Sequence, residues 1–190
     1  MGAGESAWDR LGKHQRETQL IASIQSTLYW DQNTRMPSGG ASWRGEQLTL
    51  LATQLHARQS SSAYSDLVKE ARQAWQDSDR CPHRGRNLDL IEIELGRQQS
   101  LDPTLVAALA RAKVDGYDRW QQARSAADFN LFAPALERLI DLRREQARQL
   151  NEPRSCWETL AQPFEPDLSL DRLQALDATQ LEVRVRADDE

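Results

Sequence analysis

Leu88 to Leu95 is the one stretch of this chain whose residues alternate as on a β-strand, with Ile91, Ile93 and Leu95 interleaved with Glu92 and Glu94. That alternation bears directly on the fold class, because a strand needs a partner. No second stretch reads as one, and a lone strand leaves its backbone N–H and C=O groups unpaired. Leu88, Ile91 and Leu95 also satisfy a helical stripe, so the spacing predicts a helix over about 86–99. Elsewhere the apolar residues follow the helical period. The expected fold is all-α, an elongated bundle of about seven helices.

The helix limits come from caps and breakers. A first helix spans Glu5 to Tyr29 with Trp8, Leu11, Leu20, Ile21, Ile24 and Leu28 on its apolar spacing and a polar middle at Gly12–Gln19. It has to stop before Pro37. Ser42 is expected to cap a second helix reaching about Gln59, with Leu48, Leu51, Ala52 and Leu55 inside. One serine of Ser60–Ser62 caps a third, about Ala63–Asp77, and Asp79–Gly85 reads as a loop around Cys81-Pro82-His83. Asp102-Pro103 is a helix start with Asp as N-cap and Pro at the first helical position. That helix runs through Leu105, Val106, Leu109, Ala112 and Trp120 to about Ala126. Asp128 caps a short turn, and Pro134 opens a long helix with Leu136, Leu139, Ile140, Ala147 and Leu150 inside. Residues 151–166 look loop-rich, and Ser169 caps a last helix containing Leu170, Leu173 and Leu176. Residues 1–181 are expected to form a single helical domain, followed by a divergent charged tail at 182–190.

Composition excludes some functions. At 190 residues and 39% hydrophobic content the chain can bury a sizeable core. A net charge of −5, with arginines scattered among acids, argues against nucleic acid as a partner. No apolar run approaches the roughly 20 residues of a membrane helix. The N-terminus lacks the basic and apolar regions of a secretory signal. Two cysteines, Cys81 and Cys156, make no disulfide framework. The expectation is a cytoplasmic protein that meets neither membrane nor nucleic acid.

The most unusual local content lies between the first two helices. Tyr29-Trp30-Asp31-Gln32-Asn33-Thr34-Arg35-Met36-Pro37 is followed by Ser38-Gly39-Gly40 and then Trp43-Arg44-Gly45-Glu46-Gln47. Connections are usually small and polar. The simplest reading is a packed corner in which Trp30 and Met36 fill the gap and Asp31 or Asn33 caps a helix end. The alternative is a cleft-facing motif made of Trp30, Asp31, Gln32, Met36, Arg44 and Gln47.

Four stretches together carry a resemblance. They are Trp30-Asp31-Gln32 with Met36-Pro37; Arg44 through Gln47-Leu48 to Leu51 and Leu55-His56; Trp120-x-x-Ala123-Arg124 leading to Asp128-Phe129-x-x-Phe132-Ala133-Pro134-x-Leu136; and Trp157-Glu158-x-Leu160 with Phe164-Glu165-Pro166. In order and spacing they resemble the N-terminal region of the carboxypeptidase Taq family, also called thermostable carboxypeptidase 1. The resemblance covers about Leu20 to Leu176. It implies an all-helical lid or wall over a deep cleft, in a cytoplasmic, homodimeric, zinc-dependent enzyme that removes C-terminal amino acids from peptides. The family's zinc sits on a His-Glu-x-x-His helix, where two histidines one turn apart hold the metal and the Glu is the general base.

This chain departs from that pattern. His14, His56 and His83 are its three histidines, and none has another histidine four residues on. Cys81-x-His83 is too sparse for a site, and the helix bearing Asp89, Glu92 and Glu94 is acidic where relatives are rich in Arg. No catalytic and no metal residue is therefore assigned here. Zinc and peptide substrate belong to the complete family enzyme, and the chain alone is expected to be inactive. Two readings stay open: the N-terminal portion of such an enzyme, as a truncated product, a fragment or one half of a split enzyme that docks to a separate catalytic half, or a non-catalytic helical interaction module that binds a partner or dimerises. An unrelated helical bundle would leave the motif combination to chance.

Overall fold

In the computed structural model, residues 6–79, 81–166 and 169–175 are described. Their α-helices are α1 Ala7–Thr34, α2 Ala41–Ser60, α3 Ser62–Ala74, α4 Pro82–Gln99, α5 Pro103–Ala126, α6 Ala133–Leu150 and α7 Cys156–Ala161, and residues 170–175 are helical as well. No strand occurs among the described residues. The 86–99 stretch is helical, with Leu88 and Leu95 buried while Leu90 and Ile93 face outward. The backbone falls into two compact units, Met1–Leu142 and Arg143–Glu190, with the boundary inside α6. The tail at 182–190 and Leu176 lie outside the described residues.

In the first unit one end of α1 is closed by apolar side chains. Leu11, Tyr64, Val68, Ala71, Leu88 and Leu95, from α1, α3 and α4, form a buried cluster, with Trp8, Leu67, Trp75 and Ile91 against it. Trp75 starts a π-helical turn, Trp75–Asp79, and donates its indole N–H to the Cys81 carbonyl at 2.8 Å. Its ring lies against Gly85 so closely that a Cβ there would sit 2.6 Å from Cζ2. Outside the cluster Arg72 reaches Asp89 and Glu92, each at 2.7 Å, which raises its pKa, mainly through the hydrogen bond to Glu92. α2 packs extensively on α5. Leu48 and Leu55 are buried on the former, and Leu105, Leu109 and Val114 on the latter. Gly116 lets Leu139 of α6 approach α5, since a Cβ would meet its Cδ1 at 2.9 Å.

Several helix limits differ from the sequence reading. α2 is capped by Gly40 rather than Ser42, because a 3-10 turn at Ser38–Gly40 runs straight into it and leaves no extended residue for Ser42 to cap. The expected loop at Asp79–Gly85 is shorter. Pro82 sits at the first position of α4 after Cys81, as Pro103 does in α5 after Asp102. α1 runs on through Trp30–Thr34, so most of the presumed corner is helix. Leu20, Ile24, Trp120 and Ile140, all expected inside, are exposed. On α1 the packed face runs through Leu11, Ile21 and Leu28, and Leu20 and Ile24 fall outside it.

The second unit holds the end of α6, α7 and the residues after it. α7 lies within the stretch read as loop, started by a capping box in which Ser155 and Glu158 satisfy each other's backbone N–H groups. Glu158 also accepts from the Leu170 N–H at 2.9 Å. That bond first, and those from Ser155 next, hold its carboxyl below the usual range. Ser169 caps the following turn as expected, accepting from the Arg172 N–H at 3.2 Å. Leu170 is exposed.

Candidate functional site

The end of α1 is closed by polar groups. The Asp31 carbonyl accepts from the N–H groups of both Arg35 and Met36, at 2.8 and 2.9 Å, and this bifurcated bond stops the helix ahead of Pro37. α1 has no basic residue in its last turn. Arg44, in the first turn of α2, supplies the missing charge. Its guanidinium donates to the Leu28 carbonyl, to the Asp31 carboxylate, and through Nε to Gln47 Oε1 at 3.0 Å. A cation at a helix C-terminus meets the negative end of its dipole, and the planar fork of Arg suits several acceptors at once. Arg44 is 9% exposed. The Asp31 side chain is 36% exposed, so water screens the pair and the attraction is modest.

The six motif residues are therefore not one constellation. Asp31, Arg44 and Gln47 form a hydrogen-bonded joint between α1 and α2. Met36 packs on Gly40, where a Cβ would lie 2.9 Å from its Cγ. Trp30, expected as a plug, is 60% exposed. Asp31 caps nothing with its side chain; its carboxylate is turned to Arg44. Burial pushes the neighbouring Tyr29 hydroxyl above its usual pKa.

Gln32 behaves differently. It is 6% exposed, and its Oε1 is buried without a hydrogen-bond partner. It lines a cavity of about 500 Å³ together with Met36 and, from α5, Asp118, Gln121, Gln122 and Ser125. The α5 residues were missed in the sequence. Their signal was a polar stripe at i, i+3, i+4, i+7, the spacing an apolar face would have.

None of these groups forms an acid–base pair or an activated nucleophile, and the histidines stand apart. His14 stacks on Tyr64 with ring centres 4.5 Å apart. His56 is buried, with Nδ1 3.2 Å from Gln98 Oε1. His83 lies in the first turn of α4, exposed. No three His, Cys, Asp or Glu side chains among the described residues are placed to hold a metal ion. The donor set described does not fit a zinc centre. No described helix is long and apolar enough to cross a membrane.

Residues 10–182 match the family model of the carboxypeptidase Taq (M32) metallopeptidases. The chain belongs to this family. Thermostable carboxypeptidase 1 of Thermus thermophilus is 28% identical over 146 residues, covering 77% of this chain and 29% of that protein. Carboxypeptidase 1 of Bacillus subtilis is 24% identical over 151 residues, 78% of this chain and 29% of that protein. The chain thus spans less than a third of the length of these carboxypeptidase Taq relatives. Among solved structures, BsuCP superposes with a TM-score of 0.84 at 19% identity, covering 91% of this chain and 34% of that one. Trypanosoma cruzi metallocarboxypeptidase 1 superposes with a TM-score of 0.71 at 22% identity, covering 91% and 34%. At such identities these two likenesses establish the all-helical fold of the family rather than a shared activity.

Proposed function

We propose that this chain is the N-terminal helical portion of a cytoplasmic, zinc-dependent metallocarboxypeptidase that removes C-terminal amino acids from peptides. On this reading the metal and the general base come from the remainder of such an enzyme, and the 190 residues are inactive alone. The carrying observation is the family match over residues 10–182 in a chain whose three histidines lie far apart in sequence. The Arg44 joint fits a structural role. It fixes the angle at which α1 enters α2, which a cleft wall requires, and contributes no reacting group.

The test is release of C-terminal amino acids from a blocked dipeptide in the presence of zinc, with zinc content measured in parallel. The chain alone should show neither turnover nor stoichiometric zinc. Mixing it with the complementary part of the Thermus thermophilus relative should restore turnover. Turnover by the chain alone, with one zinc bound, would overturn the assignment.

A second reading is a non-catalytic module that binds a partner or a second copy. Trp43 and Leu50, exposed seven residues apart on α2, favour it. Sedimentation would then show a dimer that Leu50→Lys dissociates, and complementation would fail.

A further inference from the structure

We propose that the cavity beside the C-terminal turns of α1 and α5 binds an organic cation rich in N–H donors, a guanidinium or primary ammonium group. This stands apart from the carboxypeptidase reading and rests on three features.

The first is Gln32. Burying an amide oxygen without a partner is unfavourable; Gln32 lines the cavity, and its Oε1 is buried with no hydrogen-bond partner. It is an acceptor awaiting a donor. The second is charge. The lining contains one carboxylate, Asp118, and no Lys, Arg or His. Three arginines lie close in sequence but do not line the cavity: Arg35 follows α1, Arg119 donates to Gln122 Oε1 at 3.4 Å, and Arg124 lies over the Trp120 ring. The third is the helix ends. Residues 32–34 are the last turn of α1 and residues 118–125 the last two turns of α5. Two negative dipole ends therefore flank one space.

Two of the lining amides already donate elsewhere. Gln121 donates to the Tyr117 hydroxyl at 3.2 Å and Gln122 to Asp118 Oδ2 at 2.7 Å. Beside the amide and hydroxyl groups of Asn33, Thr34 and Ser125, the lining offers a ligand one charged acceptor, the Asp118 carboxylate, and one unpartnered acceptor, Gln32 Oε1. An anion would face the Asp118 carboxylate with no lining cation to offset it. A quaternary ammonium would satisfy the charge but leave Gln32 without its donor. A volume of about 500 Å³ accommodates an arginine or lysine head group with water around it. The same chemistry belongs to a basic side chain of a peptide and to a free small guanidine.

The test is calorimetric titration of the 190-residue chain at low salt with methylguanidinium, N-acetyl-arginine methylamide and tetramethylammonium. Saturable binding of the first two and none of the third is expected. Gln32→Leu and Asp118→Asn should each weaken binding about tenfold, the usual worth of a hydrogen bond to a charged group. Asp118→Asn keeps the shape of a half-exposed residue, and far-UV helicity verifies its fold, so the test survives a poorly folded Gln32→Leu. Tighter binding of the blocked arginine than of methylguanidinium would assign a peptide side chain as the ligand; equal binding would assign a free cation. Absence of saturable binding, equal binding of tetramethylammonium, or indifference to both substitutions would overturn the proposal and leave the cavity holding water only.

Discussion

The two ends of α1 are closed in opposite ways. Near its start, Leu11 joins Val68, Ala71 and Leu88 in an apolar cluster, and the charges of Arg72, Asp89 and Glu92 stay outside. At its finish the buried residues are Gln32 and, from α2, Arg44. An apolar end is held by area removed from water and tolerates no lost volume. A polar end is held by directed bonds, and its stability depends on each donor finding its acceptor. The first kind of closure gives stability. The second gives a fixed angle and leaves unsatisfied groups that can serve a ligand.

The contrast can be tested by substitution. Leu88→Ala should have the largest effect, a loss of roughly 3 kcal/mol in urea denaturation, because a fully buried leucine leaves a cavity. Gly85→Ala at the same end should be less stable by about 2 kcal/mol, since the added methyl must displace the Trp75 ring. Arg44→Met at the polar end should lose only about 1–2 kcal/mol, because water can reach the abandoned Asp31 carboxylate. Pairing it with Asp31→Asn in a double-mutant cycle should give a coupling that shrinks with added salt. A loss matching Leu88→Ala would mean that the polar joint is as unforgiving as the core.

Acid should act next. Desolvation first, and Arg58 second, lower the pKa of His14 from 6.5, with Glu17 opposing. The folded imidazole therefore takes up a proton less readily than the unfolded one. Its contribution is complete above 6.5 and lost as pH falls through the depressed folded value. Denaturation midpoints should decline below that pH and should decline less in His14→Gln. The smallest effect belongs to Trp30→Ala. This exposed indole should change stability by less than about 0.5 kcal/mol, and a larger loss would return Trp30 to the corner packing.

The apolar end was readable from the sequence because there the apolar spacing coincides with the buried face. Leu88, Ile91 and Leu95 were placed correctly even against a strand-like alternation, and Ser61, Asp102, Asp128 and Ser169 all cap the turns that follow them. The polar end was read as a motif, and its residues were named, but not sorted. Nothing in Trp30-Asp31-Gln32 says that the first is exposed, the second paired and the third buried, since neighbours on a helix point 100° apart. The α5 half of the cavity went unseen because a polar stripe at helical spacing looks like a solvated face. The start of α7 was missed for a different reason. The Ser155–Glu158 box was present, but too few apolar residues followed to reveal a helical period.

Trp75 gives the apolar end an optical reporter. Its indole is half-buried, hydrogen-bonded to a backbone carbonyl and pressed on Gly85, with the Arg72 guanidinium 5.4 Å from its ring. Trp30, Trp43, Trp120 and Trp157 are all exposed and should emit much as they would in the unfolded chain. Most of the change in intrinsic fluorescence on denaturation should therefore come from Trp8 and Trp75. A steady emission maximum would then report that the joint of α3 and α4 is intact, and would say little about the corner that Arg44 holds.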